Sequence, residues 1–162
     1  MDLQSELEIY ISAQKAVGTQ FIAVGVGLLL TAFISHMFGE GPLASGLKIG
    51  GIVCGLLISG GGFLYRYTET TLLENQSTLY RLNSEKFALE EGARMEKVVS
   101  DFPKYQITFR AILLAGMIAV LVTESPFWHG VSFTIMGMMI GVLIAEAFSK
   151  SSIMTYHQAL LN

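Results

Sequence analysis

Polar and apolar positions are unevenly distributed along this chain of 162 residues. Residues 17–38 and 49–65 contain no Asp, Glu, Lys or Arg, while 107–123 and 131–148 contain one charge each, Arg110 and Glu146. A helix rises 1.5 Å per residue, so about 20 apolar residues cross the roughly 30 Å hydrocarbon core of a bilayer. The four runs therefore predict four transmembrane helices. Gly39-Glu40-Gly41-Pro42 turns the chain between the first two runs, and Glu124-Ser125-Pro126 between the last two. The expected fold is an all-α integral membrane protein, one domain over 1–162, with its spans arranged as two hairpins.

Between the hairpins lies a polar island, residues 66–106, expected to form a long cytoplasmic helical extension between the second and third spans. Leu72, Leu79, Leu82 and Leu89 trace one face of it, widened by Leu73, Tyr80 and Phe87. Gly92 is the expected break. Met95, Val98, Val99, Phe102 and Tyr105 then make a second stripe, ending near Pro103. Such stripes fit a water-exposed helical hairpin or a docking face, for which Leu72, Leu79, Leu82, Phe87 and Leu89 are the candidate residues. Residues 1–16 place Leu3, Leu7, Tyr10 and Ile11 at helical spacing, mostly opposite Gln4, Glu6, Glu8 and Gln14, which reads as an amphipathic helix lying on the membrane surface. The tail, 149–162, is weakly amphipathic through Ile153, Tyr156, Leu160 and Leu161.

Composition strengthens the membrane reading. Charged residues make up 14% of the chain, against about 25% in soluble domains. Of the ten Lys and Arg residues, Arg66, Arg81, Lys86, Arg94, Lys97 and Lys104 lie in the island, whereas the two short turns hold only Lys48. The positive-inside rule then puts both termini and the island in the cytoplasm. A net charge of −3 with no basic face makes nucleic acid an unsuitable partner. The single cysteine, Cys54, excludes an intramolecular disulfide and reads as a packing residue. Asp2, Glu6 and Glu8 stand where a signal peptide needs basic residues, so the first apolar run is expected to remain as an anchor.

Seventeen glycines accompany three prolines, and many glycines lie inside the apolar runs. Gly46/Gly50, Gly51/Gly55 and Gly137/Gly141 are small-xxx-small pairs that let helix backbones approach closely in lipid. Gly60-Gly61-Gly62 marks a bend or a tight crossing. Lys15, Phe21 and Gly51/Gly55 have loosely matching positions in Lys104, Phe109 and Gly137/Gly141, the pattern a tandem repeat would give.

Little in the chain suggests covalent chemistry. Gly-x-Ser-x-Gly, His-Glu-x-x-His and phosphate-loop patterns are absent, so no catalytic residue, metal ligand or cofactor is assigned and an enzyme is not expected. His36 with Glu40 and His129 with Glu124 fall at the outer ends of spans and read as interfacial residues. Met136, Met138 and Met139 read as packing residues. Arg110 and Glu146 lie at similar depth on consecutive antiparallel spans, and an intramembrane ion pair is expected between them. Together with Gln20 they are also the polar candidates for a pore.

The four-span layout with cytoplasmic termini resembles, in topology alone, the tetraspanning toxin-immunity proteins of the bacterial inner membrane. That resemblance implies a non-enzymatic inhibitor in the inner membrane and assigns no residue a role. The glycine faces and the island point the same way, towards an accessory or interaction subunit that associates with lipid and with a second copy or another membrane protein. The alternative expectation is a small oligomeric ion channel or transporter.

Overall fold

The computed structural model describes residues 3–161. Met1, Asp2 and Asn162, the outermost residues of the expected N-terminal helix and tail, lie outside the described residues. The rest forms four long helices in order: α1 (Leu3–Phe38), α2 (Gly41–Leu82), α3 (Ser84–Val122) and α4 (Pro126–Leu161). All four are long and apolar enough to cross a membrane, which marks an integral membrane protein.

The structure corrects the expected division of the chain. No separate extension stands between the second and third spans. The polar island is the end of α2 and the start of α3, and α3 is itself apolar beyond it. The chain reverses at Asn83, not at Gly92. Asn83 is extended (φ −158°, ψ 97°), and its Oδ1 accepts the Lys86 amide at 2.9 Å. Its own amide donates to the Leu79 carbonyl at 2.8 Å, so one residue closes α2 and caps α3. Gly92 lies within α3 with no atom within 4 Å of where a β-carbon would stand. Residues 3–16 are likewise the first turns of α1, continuous with the first span.

The helices form one bundle in which α1 packs most extensively along α2. Small residues set this contact. Gly18 meets Gly62, Gly25 meets Gly55 and Ser59, and Gly51 meets Leu28 and Ala32, an antiparallel seam. A second seam joins α2 to α4 in parallel, with Gly46 against Phe127 and Gly130, and Gly50 against Val131 and Thr134. Gly41, at φ +83°, begins α2 in the left-handed region that glycine enters without steric penalty. No backbone contact joins α1 and α3, which occupy diagonal corners.

The apolar core sits at the polar end of the bundle. Leu7, Tyr10 and Ile11 of α1 pack with Phe87 and Met95 of α3 and Ile153 and Tyr156 of α4. Leu72 and Leu79 of α2 close over this cluster. The N-terminal segment, the island and the tail are therefore parts of one four-helix core. Each carries an apolar stripe that the others cover.

Candidate functional site

Where the core meets the apolar half of the bundle, a layer of polar side chains crosses between helices. Gln14 of α1 is fully buried. Its Oε1 accepts from the Tyr65 hydroxyl at 2.9 Å and the Ser149 hydroxyl at 2.8 Å, and its Nε2 donates to Ser152 Oγ at 2.9 Å. Ser152 in turn donates to the Ser149 carbonyl at 2.9 Å. One amide thus ties α1 to α2 and α4, and the low dielectric makes its satisfaction important.

A charged layer lies next to it, towards the Asn83 turn. Glu91 is fully buried and receives both Arg94 Nε, at 2.8 Å, and Arg94 Nη2, at 2.6 Å. This two-point contact compensates a carboxylate that would otherwise be costly to bury. Arg94 also stands over the Tyr10 ring, 5.6 Å from its centroid, and Tyr10 stacks on Tyr156 with centroids 4.7 Å apart. Glu69 of α2 is buried nearby with Oε2 unbonded. Burial pushes its carboxyl above the ordinary value and the neighbouring Glu91 adds to this, while Arg94 and Lys15 oppose it.

Beside these layers opens a cavity of about 410 Å³. It occupies the diagonal between α1 and α3, where no backbone contact fills the space. Phe21, Tyr65, Phe102, Tyr105 and Phe109 give it an aromatic lining, Lys97 and Asp101 also border it, and Glu146 contributes a carboxylate. Glu146 is 8% exposed and its Oε2 has no hydrogen-bond partner. Comparison with family models, curated proteins and solved structures finds no match. The chemistry of the site is therefore read from its geometry.

The expected Arg110–Glu146 ion pair is not formed. The ion pairs among the described residues are Lys86–Glu90, Arg94–Glu91 and Lys104–Asp101. Arg110 is exposed, so its long side chain stays outside while Glu146 faces inward. Gln20, the third polar candidate in the spans, is half-buried with an unpartnered Oε1.

The candidate docking face is divided. Phe87 is fully buried, and Leu72 and Leu79 pack on the internal core, because α1 and α4 supply the covering surface. Leu82 and Leu89 stay 80% and 76% exposed beside the Asn83 turn.

Among the candidate packing glycines, Gly46, Gly50, Gly51 and Gly55 lie in close backbone contacts, and Gly141 meets Val24 of α1. Gly137 is exposed, with ordinary clearance of 3.7 Å to Leu28. The two halves are not equivalent: Gly51 and Gly55 face their hairpin partner α1, whereas Gly137 and Gly141 also face α1 and not α3. Sequence reasoning missed Gly18, Gly25 and Ala32, although their seven-residue spacing was a readable signal. It also missed Gln14, whose hydrogen-bond partners are up to 138 positions away.

Proposed function

We infer that this chain is a non-enzymatic membrane protein that acts through helix–helix interactions, as an accessory subunit or an immunity-like inhibitor of a membrane complex. Its site of action is the cytoplasmic membrane of a bacterium, with both termini and the polar half of the bundle in the cytoplasm. The Lys/Arg asymmetry of the chain supports that orientation.

The observation that carries the reading is the exposure of Leu82 and Leu89 at the bundle tip. The rest of the leucine stripe is taken up by the chain itself, yet these two large apolar side chains remain uncovered in a polar segment far from the spans. Exposed apolar groups in water favour a contact that buries them. The partner is another membrane protein or a second copy of the chain.

A photo-crosslinking residue placed at Leu82 or Leu89 in native membranes is expected to give one discrete adduct. The same residue at exposed Glu96 should give none. An adduct of twice the chain's mass identifies a second copy. Absence of adducts at both leucines would sink the reading. The competing reading, a small oligomeric channel or transporter, is favoured by the Glu146 cavity alone. Ion or solute flux in liposomes holding the purified chain would support it.

A further inference from the structure

We propose that the cavity between α1 and α3 binds a hydrophobic organic cation, with the positive charge at Glu146 and the apolar body among the aromatic rings. This site lies apart from Leu82 and Leu89, and the inference stands whether or not the bundle tip binds a partner.

Three observations carry it. The cavity, about 410 Å³, falls within the size range of small-molecule sites, and its lining is mostly apolar, as such sites are. Its aromatic residues come from three helices: Phe21 from α1, Tyr65 from α2, and Phe102, Tyr105 and Phe109 from α3. Ring faces attract cations, most strongly where water is excluded. Glu146 is more than nine-tenths buried, leaves Oε2 unpartnered and has no ion-pair partner.

The charges near the cavity decide the sign of the ligand. Arg94 is held by Glu91 at 2.6 Å, and Asp101 by Lys104 at 2.6 Å. Lys97 is exposed, near Asp101, where water and salt screen it. Arg110 is exposed and does not pair with Glu146. Of the charged residues that line the cavity, Glu146 is the one left buried without an ion-pair partner, a costly situation in a medium of low dielectric. A bound cation supplies the missing partner, whereas an anionic amphiphile would add a second negative charge beside it.

Tetraphenylphosphonium and its size-matched anion tetraphenylborate separate these cases in equilibrium dialysis against the full chain in mild detergent. Saturable binding of tetraphenylphosphonium, about one per chain, is expected above the background of Glu146→Gln. That variant should lose roughly tenfold or more in affinity, and Phe109→Ala should lose several-fold. Arg110→Gln, which removes a competing cation, should tighten binding. Melting and gel filtration verify that each variant is folded. Should Glu146→Gln fail to fold, Glu146→Asp keeps the charge and is expected to retain the preference for the cation. Equal uptake of the two ions, no change in Glu146→Gln, or weaker binding in Arg110→Gln would overturn the proposal. So would a preference for tetraphenylborate, which would assign the cavity to an anion held by Lys97 and Arg94.

Discussion

Gln14 shows how one side chain can hold several helices. It hydrogen-bonds to Tyr65, Ser149 and Ser152 at once and is itself fully buried. Leaving a buried polar group unpaired costs about 1–3 kcal/mol. Gln14→Leu is therefore expected to destabilise the bundle by at least about 2 kcal/mol, and Ser149→Ala by less, as measured by thermal unfolding in detergent. Glu69 makes a prediction of opposite sign. Its folded-state pKa is raised by burial, with Glu91 adding to the shift and Arg94, Lys15 and the Tyr65 hydroxyl opposing it. A carboxyl raised on folding holds its proton more tightly in the folded state, so stability falls as pH rises above the unfolded value towards the folded one. Glu69→Gln should thus raise the melting temperature at pH 7 and have little effect at pH 4. An equal gain at both pH values would show that ionisation of Glu69 is not the cause. At this scale the sequence was only partly legible. It exposed Arg110 and Glu146 as unusual but could not show that one points outward and the other into a cavity.

Helix pairing is decided by where the small residues fall. A β-carbon at Gly55 would stand 2.9 Å from the Gly25 carbonyl oxygen and 2.7 Å from Leu29 Cγ, so the seam must open to admit it. At Gly60 no atom lies within 4 Å. Gly55→Ala is expected to cost about 1–3 kcal/mol by overpacking, and Gly60→Ala to be neutral or to stabilise by up to about 1 kcal/mol through helix propensity. Parallel melting curves of the two variants test this, and a similar effect at both sites would mean the seam does not control the pairing. The four spans were readable because apolar runs of that length with at most one charge leave few alternatives. The break in the island was misread for a local reason. Gly92 is a weak helix former, but helix continues through it with the core on either side at Phe87 and Met95. Asn83 carries the capping side chain, and Tyr80 and Phe87 pack edge to face across that turn with centroids 5.2 Å apart.

At the scale of the whole molecule, the proposed orientation rests on the Lys/Arg asymmetry. With Cys54 replaced by Ala, single cysteines at Glu40 or Glu124 are expected to react with an impermeant reagent added outside cells, and one at Glu90 to react only after permeabilisation. Reversed labelling would invert the orientation. The sequence by itself determined the number of spans, the hairpin turns and the polar character of the ends. Each of these depends on the transfer of contiguous residues between water and lipid, a quantity local in the chain. Only the tertiary structure decided that Leu7, Phe87 and Tyr156 share one core, that Gln14 joins three helices, and that Glu146 faces a cavity while Arg110 does not. Amphipathic stripes state that a face must be covered but not by what. The answer depends on the register and diagonal of four helices, set by glycine contacts between residues far apart in sequence.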